Sequence, residues 1–347
     1  TPMSVMVGVG RAAEQGVLIR NGDALQLAQS ITTVVVDKTG TLTEGRPAVV
    51  DSHIEGDNKH LLACAAAVEQ HSEHPLAQAV LAFAEDQGVK PSVAEQFQAV
   101  AGRGVRAQVD GQAVLLGNEV FLQESGVDTD SFTTQGQAFS RAGRSLVWMA
   151  LDNRVALLLA IADPLRDDSV QAVKQLHEQG LEVVMLSGDN RATAEAIAAE
   201  AGIDRVIAEV KPEQKLEAIR ELQAQGKTVA MVGDGINDAP ALAQADIGYA
   251  MGSGTDVAMT TADVTLMRSS LTSVVDAIAV SRATVRNIKQ NLFGAFIYNS
   301  LAIPVAAGVL YPVFGLLLNP AVAGAAMALS SVTVVFNARR LGQQRLE

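Results

Sequence analysis

The residues best suited to chemistry stand in one short run, Asp37-Lys38-Thr39-Gly40-Thr41-Leu42-Thr43, directly after a β-branched stretch at 31–36. A carboxylate at the tip of a strand can act as a nucleophile and form an acyl phosphate. Lys38 adds positive charge beside it. Thr39, Gly40 and Thr41 offer amides and hydroxyls to phosphoryl oxygens. Taken alone, an Asp-Lys pair also suits a surface turn. A second loop, Gly233-Asp234-Gly235-Ile236-Asn237-Asp238-Ala239-Pro240, holds two carboxylates and an amide. Hard oxygens of this kind suit Mg²⁺, which is usually held by one or two carboxylates and substrate phosphate. Ser187-Gly188-Asp189 can receive a transferred phosphoryl group, and Lys215 can neutralise the charge that grows on it. Each loop alone fits a turn between strand and helix. Together they point to phosphoryl transfer.

The elements that must position these loops follow from apolar runs. Strands are expected at 31–36, 181–186, 228–232 and 247–251, with helical spacing at 168–178, 192–201 and 212–225. Strands alternating with helices predict an α/β fold with a doubly wound parallel sheet, whose ligands sit at the carboxyl ends of the strands. Asp37, Asp189 and Asp234 fall at those ends. The catalytic domain is therefore read as 31–45 plus 160–280. The segment 46–159 interrupts it with helices at 59–69 and 75–87 and strands at 104–109, 112–116, 146–151 and 155–161, an inserted α+β domain. Within the insert, His74 before Pro75 suits a helix cap, and Gly102 and Gly104 suit a hairpin turn, since a lone Gly-x-Gly is a weak signal. Cys64 on an Ala-rich helix reads as a small core residue.

Residues 1–9 are apolar or small and lack the basic front of a signal peptide. They are too few to span a bilayer, which needs roughly 20 residues, and read as the tail of a helix, with 11–30 as a linker. Between Lys289 and Arg339 there is no charge. The stretch is broken at Tyr311-Pro312 and Asn319-Pro320, and Asn before Pro is a good helix start. Two membrane spans are expected, 291–310 and 320–337, within a hairpin region 281–347. Arg282, Arg286 and Lys289 precede them and Arg339, Arg340 and Arg345 follow, so both ends read as cytoplasmic. Tyr298-Asn299 falls near the middle of the first span. Met327, Ser330 and Ser331 share one face of the second. A thioether is a soft ligand that favours Cu(I), yet serines in membrane helices also bond back to their own helix. On the residues alone both readings stay open.

The net charge of −12 argues against nucleic acid as a partner. A single cysteine excludes an internal disulfide, and no Cys/His cluster suggests structural zinc. The 48% hydrophobic and 18% charged composition fits a mixed soluble and membrane chain.

The motifs at 37–43, 187–189 and 233–240 resemble those of the phosphorylation domain of P-type ATPases, within the haloacid dehalogenase-like superfamily. The resemblance implies that ATP phosphorylates Asp37, that Mg²⁺ lies on Asp37, the Thr39 backbone and Asp234, and that Lys215 and Asp238 support the phosphoryl group. Related soluble phosphatases carry a second Asp two residues after the nucleophile. Thr39 stands there instead, so a phosphoenzyme is expected to persist. The insert resembles the nucleotide-binding domain of the heavy-metal subgroup, with its His-Pro pair. That implies an adenine and ribose site lined by Glu69, His74, Gly102, Gly104, Gly117 and Asn118, without a strong aromatic stack. Tyr-Asn in one span and Met-x-x-Ser-Ser in the next are similar to copper-transporting members, implying Tyr298, Asn299, Met327 and Ser331 as Cu(I) ligands and Ag(I) as a second ion. Zinc-type members carry a charged residue in these spans, and none is present here.

The resemblance further implies a multi-pass protein of the cell membrane, in contact with lipid, with cytoplasmic soluble domains and a cytosolic copper chaperone as partner. It places an actuator domain and a Cys-Pro-Cys helix upstream of Thr1. The expected function is ATP-driven export of Cu(I) through an aspartyl phosphate, with this chain as the catalytic half. A membrane-anchored phosphatase, a nucleotide-binding regulator and a divalent-metal pump are the competing readings.

Overall fold

Successive β-branched residues favour an extended, well-packed backbone, and Thr33-Val34-Val35-Val36 forms the expected buried strand, ending at Asp37. The computed structural model describes residues 2–343 apart from Asn21, Glu73, Ala101 and 316–318. In chain order the first elements are α1 (Pro2–Glu14), β1 (Val17–Ile19), α2 (Gly22–Ala28), β2 (Thr33–Asp37), β3 (Ala48–Ile54), α3 (Asn58–Glu69) and α4 (Pro75–Asp86). Next come β4 (Ala94–Val100), β5 (Gly104–Val109), β6 (Gln112–Gly117), α5 (Glu119–Glu124), α6 (Asp130–Arg141), β7 (Ser145–Leu151) and β8 (Arg154–Ala162). They are followed by α7 (Ser169–Glu178), β9 (Glu182–Leu186), α8 (Arg191–Ala201), β10 (Arg205–Ile207), α9 (Pro212–Ala224) and β11 (Val229–Gly233). The last are α10 (Ala239–Gln244), β12 (Ile247–Met251), α11 (Asp256–Thr261), β13 (Val264–Leu266), α12 (Thr272–Ala306), α13 (Tyr311–Phe314) and α14 (Pro320–Gln343).

The chain divides into two compact units. One comprises residues 1–37, 171–183 and 212–347. Its strands run in the order β1-β13-β12-β11-β2, with β11 parallel to both β2 and β12, β12 parallel to β13, and β1 antiparallel at the edge. Every residue of β2, β11 and β12 is buried, as expected of parallel strands covered on both faces. The expected strands at 31–36, 228–232 and 247–251 are thus present within two residues of their predicted ends.

In this unit α12 is one helix of 35 residues. Its first half is rooted in the core through Val274, Ile278 and Val280, and Arg282 donates to the Gln179 backbone and side-chain oxygens. Its second half exposes Phe293, Phe296, Leu301 and Ile303. The first expected span is therefore not a separate helix at 291–310 but the end of this long one. It stops at Ala306, just after the internal Pro304, which removes a backbone donor. Among the described helices one, Ala321–Gly342, is long and apolar enough to cross a membrane by length and composition. It covers most of the second expected span. The end of α12 falls short because the helix stops at Ala306, so its uncharged part after Lys289 is shorter than the 18-residue apolar stretch a span needs.

At the junction of α1, α12 and α14 lies a buried polar knot. Ser4 Oγ donates to Asn287 Oδ1 (2.9 Å), Asn291 Nδ2 donates to Ser4 Oγ (3.0 Å), and Asn337 Nδ2 donates to Asn291 Oδ1 (2.9 Å). One turn on, Gly8 packs so tightly that a Cβ there would lie 2.3 Å from Thr284 Oγ1.

The second unit comprises residues 38–170 and 184–211. Its main sheet is antiparallel, in the order β3-β8-β7-β6-β5-β4. Alternation along β7 and β8 explains how both faces are covered. Val147, Met149, Leu157 and Leu159 pack with Leu62, Cys64 and Val80 of α3 and α4. Trp148, Ala150, Leu158 and Ala160 pack with Phe121, Phe132 and Phe139 of α5 and α6. Strand β9 begins in the first unit and continues into this one, where it pairs in parallel with β10.

Candidate active site

Asp37 ends β2, and Val36 before it is in register with Val232 on β11. The loop after β11 therefore starts beside the tip of β2. A Cβ on Gly233 would sit 2.8 Å from Asp238, so this close return of the loop requires glycine. Asp238 is anchored by its own turn, accepting the Gly235 N–H at 3.0 Å and the Asp234 N–H at 3.3 Å. The Thr255 N–H holds the Asp234 carbonyl at 2.8 Å.

Lys215, near the start of α9, joins the two loops. Its Nζ donates to Asp37 Oδ1 at 2.5 Å and to Asp238 Oδ1 at 2.6 Å. All three side chains are buried. Burial pushes the Asp37 carboxyl up to about 7, Asp238 adds to the rise, and Lys215 opposes it. Burial disfavours the charge on Lys215, yet Asp37 and Asp238 together raise its pKa. Carboxyl oxygens of Asp37, Asp234 and Asp238 lie within 4.8 Å of one another. Three hard oxygen donors converging at a strand tip match the ligand chemistry of Mg²⁺, so the residues fit the ion expected there. Asn237 is exposed on the same turn.

The residues after Asp37 continue into the second unit. Lys38 Nζ pairs with Asp189 Oδ2 at 2.8 Å. Ser187 is buried, and its Oγ accepts the Asp189 N–H at 3.1 Å across Gly188. Gly40 takes a positive φ of 75°, which lets the loop through Thr39 and Thr41 fold back. Thr41 Oγ1 is buried with no hydrogen-bond partner among the described residues.

Three residues that the sequence reading passed over hold this loop. Arg166 donates to Gly40 O at 2.6 Å and to Thr41 O at 3.2 Å. Asp163 accepts from Thr43 Oγ1 at 2.5 Å and from the Gly45 and Arg46 amides. Ser169 Oγ donates to Leu42 O at 2.7 Å. The available signal was Asp163-Pro164 followed by Arg166 at the exit of β8, where an aspartate and an arginine flank a turn.

In the same unit a cavity of about 430 Å³ is lined by Glu69, His74, Gly102, Gly104, Gly117 and Asn118, all six residues expected there. Gly104 and Gly117 are directly paired across β5 and β6. A Cβ on Gly104 would lie 2.3 Å from Leu116 O, and one on Gly117 would lie 2.3 Å from Arg103 O. Only glycine permits that approach. His74 caps α4, its Nδ1 accepting the Leu76 N–H at 3.2 Å, and it also lines the cavity. Burial pushes the Glu69 carboxyl up to about 7.

The expected membrane ligands are not gathered in this way. Asn299 Nδ2 donates to Ala295 O of its own helix, and Ser331 Oγ donates to Met327 O. The side chains of Tyr298 and Met327 are exposed.

Residues 31–246 match the family model of the haloacid dehalogenase-like hydrolases, and the chain belongs to that family. It is 55% identical over 342 residues to a copper-exporting P-type ATPase of Vibrio cholerae, covering 98% of this chain and 37% of that protein. It is 49% identical over 348 residues to a silver exporting P-type ATPase of Salmonella typhimurium, covering 100% of this chain and 42% of that protein. A crystal structure of a zinc-transporting PIB-type ATPase in the E2.Pi state superposes with a TM-score of 0.87 at 38% identity, over 98% of this chain and 54% of that one. The catalytic domain of a CPx-ATPase, CopB-B, matches with a TM-score of 0.58 at 28% identity, over 78% and 98%. The chain spans less than half the length of these two curated relatives.

Proposed function

We propose that this chain is the catalytic part of a pump that uses ATP to export Cu(I) across a membrane through an aspartyl phosphate on Asp37. The observation that carries the proposal is the bridge from Lys215 to both Asp37 and Asp238 at the tips of adjoining parallel strands. Asp37 Oδ attacks the γ-phosphorus of ATP, the bond to the β,γ-bridging oxygen breaks, and ADP leaves with that electron pair. Lys215 screens the charge on the attacking oxygen and the transferred group, which is the main need of phosphoryl transfer. Asp238 fixes the ammonium in place. Asp37 and Asp234 would hold Mg²⁺, which would supply Lewis-acid stabilisation of phosphoryl oxygens when bound. Thr39, standing where a phosphatase would carry an acid, supports an acyl phosphate that persists long enough to drive a pump.

The cavity around Glu69 binds the nucleotide in this account. The end of α12 and residues 320–337 of α14 provide membrane spans, with Tyr298, Asn299, Met327 and Ser331 as Cu(I) ligands once further helices pack on their exposed faces. Ag(I) is a second ion, and a cytosolic chaperone delivers the metal. The soluble units face the cytoplasm. The copper reading is preferred to a divalent-metal pump because residues 290–338 carry no charged side chain.

Membrane vesicles bearing the intact protein test the reading. ATP should drive Cu(I) into inverted vesicles, and Asp37→Asn should stop it. Uptake that continues in the Asp37→Asn protein contradicts the proposal. Transport of Zn²⁺ in place of Cu(I) favours the divalent alternative.

A further inference from the structure

We propose that Arg103 is the anion-binding residue of the cavity, taking the phosphates of ATP or ADP, and that Glu124 competes for it in the nucleotide-free protein. The inference rests on the reading of this cavity as a nucleotide site. Among the described lining residues, apart from His74, Glu69 and Arg103 are the ionisable side chains. They lie at different depths. Glu69 is buried, whereas the Arg103 side chain is 47% exposed. A nucleotide has the same asymmetry, with a base that gains from burial and a polyanionic tail that stays hydrated. The deep end, walled by Leu76, Leu116 and Val147, fits the base. The rim, with its guanidinium, fits the tail, because a planar fork of donors matches phosphate oxygens two at a time.

The backbone of Arg103 is pinned. Its N–H donates to Val100 O at 3.1 Å, and its carbonyl accepts the Asn118 N–H at 2.9 Å. Gly102 before it takes a φ of +71°, and Gly117 closes on its carbonyl too tightly for a side chain. The movable part is therefore the side chain, and its guanidinium is paired with Glu124 of α5. Both partners are about half exposed, and exposed pairs of this kind are weak in water. A di- or triphosphate carries more charge than one carboxylate and displaces it. Arg106 on the neighbouring strand position is engaged elsewhere, over the Phe121 ring and on Ser125. In a chain of net charge −12, whose overall field repels polyanions, a cation at this rim has a clear use.

The full chain should be titrated with ATP, ADP and adenosine, in the parent and in Arg103→Gln, Glu124→Gln and the double variant. Arg103→Gln should weaken ATP and ADP about tenfold, the scale of one hydrogen-bonded charge, and leave adenosine unchanged. Arg103→Lys, which keeps the charge but not the fork, should recover only part of the loss. Glu124→Gln should tighten ATP and ADP about two- to threefold, leave adenosine unchanged, and have no effect once Arg103 is Gln. Equal weakening of adenosine and ATP by Arg103→Gln would show a structural role and overturn the assignment, as would an unchanged ATP affinity. A parent that binds none of the three refutes the nucleotide reading and the assignment with it. A parent that binds all three while Arg103→Gln matches it refutes the assignment alone.

Discussion

At the scale of single residues, Lys215 is the most exposed to test. It is the cation between two buried carboxylates. Replacing it with Met leaves Asp37 and Asp238 facing each other without a counter-charge, and breaking a buried pair in this way costs about 3–5 kcal/mol. Urea unfolding should show a loss on that scale, and phosphorylation should fall at least about a hundredfold, as expected when a transition-state charge partner is removed. A Lys215→Met protein that unfolds like the parent would mean the pair is not buried in solution. Glu69 gives a pH signature. Its carboxyl is raised to about 7 by burial, so between its unfolded value and about 7 the folded protein binds more protons than the unfolded chain. Stability at this site is therefore fully present below pH ~4.5 and declines as pH rises to ~7, by about 3 kcal/mol in all. Glu69→Gln should remove that decline from the urea midpoints measured across pH. An identical slope in the variant would contradict it. The residues that meet around Lys215 and those that line the cavity beside Glu69 could be picked out as candidates because glycines, acids and hydroxyls cluster there. Asp163, Arg166 and Ser169 were not, because single polar residues that hold a backbone loop have no pattern of their own.

Among the elements, β5 and β6 illustrate how backbone geometry makes a cavity. Gly104 and Gly117 face each other with no room for a methyl group. Gly117→Ala forces the strands apart, and overpacking of this type costs about 1–3 kcal/mol. Thermal unfolding should fall accordingly, and ATP affinity should drop at least about tenfold, since the walls of the cavity shift. A variant with parental stability and ATP affinity would show that the strands are less close than described. Strands with β-branched or alternating runs, such as β2, β7 and β8, could be read directly. Strand β4 could not. It is an edge strand, exposed along most of both faces, and its register shifts between Glu95 and Gln98, with Gln96 at positive φ. A bulged, solvated edge has no period-2 signal.

For the molecule as a whole, the parallel sheet and an inserted α+β domain were anticipated, whereas the antiparallel pairing of the insert's strands and the length of α12 were not. Its charged first half and apolar second half read as two segments, although the backbone continues through Asn287 and Asn291. Those residues tie α12 to α1 and α14. Asn291→Leu would strip hydrogen bonds from buried Ser4 and from Asn337, a penalty of about 1–3 kcal/mol. Thermal unfolding of the membrane-embedded protein should reveal it, and an unchanged midpoint would show that these groups are hydrated instead. The central claim, that Asp37 takes the phosphate, is tested most directly by locating the label. The protein is incubated with Mg²⁺, Cu(I) and ATP labelled at the γ-phosphate, quenched in acid, digested and sequenced. The account predicts one hydroxylamine-sensitive label, dependent on Cu(I), on the peptide carrying Asp37 and absent from Asp37→Asn. A Cu(I)-dependent label on any other residue, or one that survives in Asp37→Asn, would contradict it.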